Sequence, residues 1–140
     1  MGVPRIVVDT NVLVAGLKSR RGASFKLLSL LGDPRFEIAI SVALFLEYED
    51  VLTRQNIGIS VEQMRDVLNY ISRVSIHQEI FFYWRPCLKD PQDDLVLEVA
   101  VASQSGVIVT FNGSDFVGVE NFGIRALTPA NFLAEIGAIP

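Results

Sequence analysis

The sequence has one cysteine and one histidine among its 140 residues. Cys87 alone cannot form an internal disulfide, which fits a reducing compartment such as the cytoplasm. His77 alone excludes a histidine-rich zinc site and gives little basis for a catalytic triad. The chain also contains no Gly-x-Ser-x-Gly, P-loop or Gly-x-Gly-x-x-Gly motif, so the usual signatures of serine hydrolases and nucleotide-binding loops are missing.

Long apolar runs and an excess of positive charge are missing as well. No run approaches the ~18–20 apolar residues of a membrane span, and the first residues lead directly into a predicted strand, with no room for a signal peptide. We therefore expect a cytoplasmic protein without a membrane partner. The net charge of −4 argues against broad electrostatic binding to nucleic acid. It does not exclude an enzyme whose acids are gathered in one pocket and neutralised by metal ions.

What the sequence has in abundance is apolar residues. Half of the chain is hydrophobic and one fifth is charged, with a mean hydropathy of +0.38. This length and composition suit one domain over residues 1–140 with a sizeable core. The apolar excess also favours a surface buried against a second copy, so we expect a homodimer.

Strand-like apolar runs alternate with segments of helical periodicity. The predicted strands are Ile6–Val8, Phe36–Ile40, Val107–Thr110 and Ile124–Leu127. The predicted helices are Thr10–Leu17, Ala23–Leu31, Val42–Leu52, Ser60–Val74, Asp93–Ser103 and Thr128–Ile136, with Ser41, Ser60 and Thr128 as N-caps. This alternation predicts an α/β fold, a three-layer α/β/α sandwich around a mostly parallel sheet.

An aromatic-rich stretch, Ile76–Trp84, contains Phe81, Phe82, Tyr83 and Trp84. We interpret it as a short strand or helix end that packs in the core or at a dimer interface. Stacking of single-stranded bases on these rings is the alternative.

Acidic residues occur where an α/β fold brings side chains to one edge of its sheet. Asp9 follows the first strand, Asp94 lies at a helix N-terminus, and Asp115 follows the third strand. Glu47, on a helix face, is a fourth candidate. Ligands of open α/β sheets bind at the carboxyl ends of the strands, so these acids mark a candidate site.

Carboxylates that converge repel one another, so such a cluster needs raised pKa values or a bound cation. An all-oxygen ligand set favours Mg²⁺ or Mn²⁺. Such an ion polarises a phosphoryl oxygen and lowers the pKa of bound water for attack on a phosphodiester. The spacing alone leaves two alternatives open: a nucleotide-binding site, or unrelated helix caps in which Asp9 or Thr10 is an ordinary N-cap.

The densest positive charge is in the loop Lys18–Gly22, which contains Lys18, Arg20 and Arg21. It is either a solvated turn or a contact for substrate phosphates at the mouth of the site.

Several motifs together resemble a known family. They are Ile6–Gly16, Glu47 within Leu-Glu-Tyr-Glu-Asp-Val-Leu, Asp90–Ala100, Val109–Phe116 and the closing Leu127–Leu133. In this order they are similar to the PIN domain, and more narrowly to the branch that contains toxin components of toxin–antitoxin systems. Each motif alone is weak, but the likeness is collinear over about the whole chain.

The resemblance implies a Mg²⁺- or Mn²⁺-dependent ribonuclease that is dimeric and is often held inactive by an antitoxin. Matched by position, Asp9 is the first metal-binding acid, Glu47 the second and Asp94 the third. On this alignment, Asp90 and Asp93 are loop and capping residues.

The last family motif is often Thr-x-Asp, and this chain has Asn112 at the acidic position. Because Thr-x-Asn-x-x-Asp-Phe is itself a recurring variant, the resemblance implies that Asp115 supplies the last acid and Asn112 a neutral oxygen. Loss of one carboxylate is expected to weaken the binding of a second metal ion more than the binding of the first. Glu98, one turn beyond Asp94, is either an outer ligand or a buried acid with a protein partner.

The sequence thus predicts an endoribonuclease that is the toxin of a toxin–antitoxin pair, with an RNA substrate and a possible antitoxin partner. The expected metal ligands are Asp9, Glu47, Asp94, Asn112 and Asp115, and the four acids among them are the expected catalytic residues. The expected substrate contacts are Thr10, Asn11, Lys18, Arg20, Arg21 and Thr110. The alternative is a PIN-fold binding or regulatory module with little or no nuclease activity, which Asn112 and the acidic composition favour slightly.

Overall fold

In the computed structural model, which describes residues 2–80 and 90–140, strands and helices follow one another in the predicted order. The strands are β1 (Arg5–Val8), β2 (Glu37–Ile40), β3 (Ile76–His77), β4 (Val107–Val109) and β5 (Arg125–Leu127). The helices are α1 (Thr10–Lys18), α2 (Ala23–Ser29), α3 (Val42–Arg54), α4 (Val61–Val74), α5 (Pro91–Ala102) and α6 (Pro129–Glu135). Two short 3₁₀ helices, Gly113–Phe116 and Val119–Phe122, lie between β4 and β5.

The described strands form one sheet in the order β3-β2-β1-β4-β5, and every pairing is parallel. The predicted α/β/α sandwich is confirmed, and the sheet is more uniform than the mostly parallel one expected. β1 is central: Val8 is in register with Val109 of β4, so the two strands end at the same edge. The order of connections reverses between β1 and β4, which is where open α/β sheets bind ligands.

The β-branched run of β1 forms the centre of the core, with Ile6, Val7 and Val8 almost fully buried. α5 packs against β1, β2 and β4 through an apolar body that the sequence predicted to be buried. On α1, Gly16 allows a close approach, since a Cβ there would lie 2.4 Å from Cδ1 of Leu28. Burial of α5 therefore fixes its N-terminus beside the ends of β1 and β4.

The predicted N-caps are confirmed. Ser41, Ser60 and Thr128 each accept a hydrogen bond from a backbone N–H in the first helical turn, and Ser60 forms a full capping box with Gln63. Within the predicted stretch Ile76–Trp84, only Ile76 and His77 form a strand, while Phe81–Trp84 and Cys87 lie outside the described residues. Among the helices that the structure describes, none has the length and apolar character needed to cross a membrane.

Candidate active site

Asp9 lies at the carboxyl end of β1, immediately before α1, and is only 6% exposed. Although it occupies the N-cap position, its side chain makes no capping hydrogen bond. Its Oδ2 instead accepts a hydrogen bond of 2.7 Å from the Thr110 hydroxyl. The carboxylate of Asp9 is therefore bonded to the end of β4, and its side chain does not have the role of an ordinary cap.

Thr110 connects two parts of this edge. Its hydroxyl donates to Asp9 and accepts a 3.0 Å hydrogen bond from the backbone N–H of Asn112. Thr110 is 1% exposed, and its buried hydroxyl holds the carboxylate; its contact with a substrate stays a prediction. Thr10 is also buried, and a hydrogen bond from its backbone helps to lower the Asp9 pKa. Of the predicted contacts here, Asn11 is exposed.

The pKa of Asp9 is nevertheless raised, and the largest cause is burial of its carboxyl. Hydrogen bonds from Thr110 and from the Thr10 backbone act against this rise, and repulsion from Asp115 and Asp90 adds to it. Burial and the neighbouring carboxylates therefore destabilise the charged form of Asp9 relative to a solvated aspartate, and a nearby cation would act in the opposite direction.

Asp93, to which the resemblance gives only a loop or capping role, is a further candidate for the site. It lies in the first turn of α5, after Asp90, whose side chain caps the helix by accepting a 2.9 Å hydrogen bond from the Gln92 N–H. The pKa of Asp93 is raised to about 6, chiefly by burial and then by repulsion from Asp9, Asp90, Asp115 and Asp94, in that order. Asp90 is thus a capping residue as predicted, whereas Asp93 shares the electrostatic environment of Asp9.

We use the name acid cluster for Asp9, Asp90, Asp93 and Asp115, which repel one another across this edge of the sheet. The exposed Asp115 lies in the 3₁₀ helix Gly113–Phe116, where its N–H donates to the carbonyl of Asn112 at 2.9 Å. The buried ring of Phe116 anchors this short helix in the core. Asn112 is exposed beside Asp115, so its amide faces solvent at the same edge.

Glu47 is half-buried on α3, and its pKa is raised chiefly by burial and then by repulsion from Asp50. Arg54, which binds Asp50 at 3.0 Å, counteracts this rise, and Asp90 adds to it. Glu47 therefore interacts with the acid cluster through Asp90. Glu49 and Asp50 are exposed.

Asp94 and Glu98 lie deeper in the structure, 1% and 2% exposed respectively. Glu98 lines a cavity of about 540 Å³ together with Ser41 and His77, near the ends of β2 and β3. Successive helical residues point about 100° apart, so Asp93 and Asp94 cannot face the acid cluster in the same way. Repulsion from Asp9, Asp115 and Asp94 helps to raise the Asp93 pKa.

Comparison with known proteins agrees with this geometry. The family model for the PIN domain matches residues 5–114, which is most of the chain. The chain belongs to the PIN domain family. PIN domains are generally nucleases and typically use divalent metal ions.

A solved structure shares the fold. This PIN domain superposes with a TM-score of 0.64 on a chain of the crystal structure of VapBC2 from Rickettsia felis bound to a DNA fragment from their promoter. The likeness covers 89% of this chain and 98% of that chain at 20% sequence identity, so it concerns the fold alone. No curated protein matches the sequence.

The basic loop of this PIN domain follows α1, at the opposite end of that helix from Asp9. Lys18, Arg20 and Arg21 are exposed, but α1 begins next to Asp9 and ends at Lys18. At 1.5 Å per residue, α1 rises about 12 Å along its axis between Thr10 and Lys18, which separates these basic residues from the acid cluster. Contact between this loop and substrate phosphates stays a prediction, and it requires a substrate that extends beyond the acid cluster.

The fit of a metal ion depends on the oxygen donors. In residues 2–80 and 90–140, no three His, Cys, Asp or Glu side chains are placed together as a ready metal site. The donors are nonetheless of the type that Mg²⁺ and Mn²⁺ prefer, namely carboxylates at one sheet edge. Every interaction that shifts the Asp93 pKa raises it. A divalent cation would stabilise the charged carboxylates and so lower their pKa values, and the donor chemistry of this PIN domain therefore fits such an ion.

The raised pKa of Asp93 predicts how the metal-free protein responds to pH. Folded Asp93 titrates near pH 6 and the unfolded residue near pH 4, so the folded state binds more protons between these values. The free energy of unfolding should therefore fall as pH rises from 4 to 6, by about 1 kcal/mol after allowing for the partial exposure of Asp93. Urea denaturation in EDTA across this range measures the slope. A stability that rises throughout would contradict the assignment.

Proposed function

We propose that this PIN domain is an endoribonuclease that hydrolyses RNA phosphodiesters with Mg²⁺ or Mn²⁺ held by the acid cluster. The observation that carries the proposal is the placement of half-buried Asp93 near buried Asp9, where the charge of Asp9 helps to raise the Asp93 pKa and both pKa values are raised chiefly by burial. A folded protein keeps such an arrangement at a cost in stability, and perturbed acids of this kind are concentrated at functional sites.

Each residue has a distinct task in this proposal. Asp9 and Asp93 are the principal metal ligands. Asp115, in the 3₁₀ helix, is a further ligand, and Glu47 lies on the side of the cluster where its charge interacts with that of Asp90. Thr110 fixes the rotation of the Asp9 carboxylate through its 2.7 Å hydrogen bond. Asn112 offers a neutral oxygen at the exposed rim.

When bound, a divalent ion polarises a phosphoryl oxygen and acidifies water. The chain's own contribution is to hold the ligands before the ion arrives. The buried hydrogen bond to Thr110 limits how far the Asp9 carboxylate can rotate, and α5 carries Asp93 on a rigid, buried helix. The exposed Asp115 and Asn112 leave that side of the cluster open for an RNA strand.

We also propose that the protein is the nuclease of a toxin–antitoxin pair and acts in the cytoplasm as a homodimer. This rests on the collinear resemblance of its motifs to that branch of the PIN family. Expression of the wild-type chain should arrest growth, and expression of the Asp9→Asn variant should not. Light scattering of the purified protein would measure the dimer.

The nuclease proposal is tested with a mixed RNA pool and purified protein in Mn²⁺, in Mg²⁺ and in EDTA. We expect cleavage in either metal and none in EDTA. Thermal denaturation with increasing Mn²⁺ provides an independent readout, because a ligand that binds only the native state raises its stability. A folded protein that neither cuts RNA nor gains stability with Mn²⁺ would support the binding or regulatory module.

A further inference from the structure

The peptide group between Val8 and Asp9 is held at both of its polar atoms. Its N–H, on Asp9, donates a 2.9 Å hydrogen bond to the carbonyl of Val109 in β4. Its carbonyl, on Val8, accepts a hydrogen bond from the hydroxyl of Tyr48 in α3. Together with the hydrogen bond from Thr110 to the side chain, these three contacts hold Asp9 from two elements, the end of β4 and helix α3.

The hydroxyl of Tyr48 donates to the Val8 carbonyl the hydrogen bond that a neighbouring strand would otherwise donate. In a parallel sheet, alternate residues direct their backbone groups to opposite neighbours. Asp9 bonds toward β4, so the Val8 carbonyl points toward β2. The ladder between β1 and β2 pairs Arg5 and Ile6 and does not extend to Val8. Without Tyr48, this buried carbonyl would lack a hydrogen bond, which is costly.

The environment of Tyr48 keeps its hydroxyl a donor. The residue is 1% exposed, and its pKa is raised by burial and by the charge of Asp9. The phenol is a neutral donor at physiological pH in any case, since the ordinary tyrosine pKa is about 10. Tyr48 also follows Glu47 directly in α3, so the same hydrogen bond connects the helix that carries Glu47 to the strand that carries Asp9.

We propose that Tyr48 is a positioning residue, whose hydroxyl fixes the Val8–Asp9 peptide and thereby the position of the Asp9 carboxylate relative to the rest of the acid cluster. The expected changes in metal affinity and cleavage rest on the proposed nuclease function. The expected change in hydrogen exchange at the Asp9 backbone does not depend on that function.

The test compares Tyr48→Phe with a matched control, Tyr70→Phe. Tyr70 in α4 also donates its hydroxyl to a backbone carbonyl, that of Leu31, at 2.7 Å. Both variants lose one hydroxyl and one such hydrogen bond, but only Tyr48 contacts the residue before Asp9. An effect common to both variants therefore reports general stability, and an effect confined to Tyr48→Phe reports positioning.

The first readout needs neither metal nor activity. Amide hydrogen exchange of Asp9 in EDTA, relative to the core amides of Val7 and Ile108, should accelerate about 3- to 10-fold in Tyr48→Phe, as expected for one lost hydrogen bond. In Tyr70→Phe the ratio should stay at its wild-type value. An unchanged ratio in Tyr48→Phe would overturn the proposal. If Tyr48→Phe does not fold, NMR of the wild-type protein replaces this comparison. The Tyr48 hydroxyl proton must then be protected from exchange with solvent and lie near the Asp9 amide.

The second readout uses Mn²⁺ and RNA well below the melting temperature. Tyr48→Phe should bind Mn²⁺ about 5-fold more weakly and show a lower kcat with little change in KM at saturating metal, while Tyr70→Phe matches the wild type. Equal metal affinity in all three proteins would contradict the positioning role. If the wild type neither binds Mn²⁺ nor cuts RNA, the proposed function fails, and the exchange ratio still decides the role of Tyr48.

Discussion

The Asp9→Asn variant is expected to cut RNA at least about 100-fold more slowly than the wild type while keeping its fold. Loss of a principal ligand removes charge stabilisation worth several kcal/mol, and each 1.36 kcal/mol is about a tenfold change in rate. The asparagine side-chain oxygen can still accept the hydrogen bond that Thr110 gives to Oδ2 of Asp9. The variant also removes a carboxyl whose pKa is raised by burial, so the metal-free protein should be at least as stable at pH 7.

Single-turnover cleavage in Mn²⁺ and thermal denaturation in EDTA measure the two effects separately. Asp66→Asn is a suitable control, because it makes the same chemical change at an exposed position on α4. The ligand assignment fails if Asp9→Asn cuts at the wild-type rate. A large loss of stability in EDTA would instead show that the carboxylate is needed for folding.

The second large effect is expected from the neighbouring pair Asp93 and Asp94. Asp93→Asn should reduce cleavage about 100-fold and flatten the fall in stability between pH 4 and 6, because it removes the carboxyl whose pKa is raised to about 6. Asp94→Asn should reduce cleavage less, because the residue is 1% exposed and its side chain points about 100° around the helix axis from that of Asp93. It should keep most of the slope, because Asp94 is the smallest of the causes that raise the Asp93 pKa.

The two variants are matched in chemistry and lie one residue apart, so the comparison is a direct test of which acid is the ligand. Cleavage rates and urea denaturation in EDTA should be measured on both proteins. If Asp94→Asn is the more damaging and Asp93→Asn keeps the slope, then the alignment by resemblance was right and the electrostatic assignment is wrong.

Much of the fold could be predicted because the signals are local. The apolar run of β1, the caps Ser41 and Ser60 and the apolar body of α5 each depend on neighbouring residues, and each is confirmed. Asp9 was also predictable as a candidate, because a carboxylate directly after a buried strand lies at the edge where ligands bind.

The parts of the candidate site that the sequence did not predict depend on orientation or on contacts distant along the chain. Deciding between Asp93 and Asp94 requires the rotation of α5 about its axis. A shift of the sequence alignment by one residue changes the direction of the side chain by about 100°. Tyr48 fits an apolar helix face by its spacing, and its hydrogen bond to a residue 40 positions earlier leaves no local pattern. Likewise, the distance of Lys18 from Asp9 follows from the full length of α1.

The central position of β1 has a consequence for synthesis of the protein. The hydrogen bond between Asp9 and Thr110 joins residues 101 positions apart, and β4 comes from the last third of the chain. At roughly 5–20 residues per second, Thr110 leaves the ribosome some 5–20 s after Asp9. Until then, Asp9 lacks the donor that fixes its carboxylate, and Asp115 has not yet been added. A translation product that ends before β4 therefore cannot assemble the acid cluster, whatever part of β1, β2 and their helices it contains.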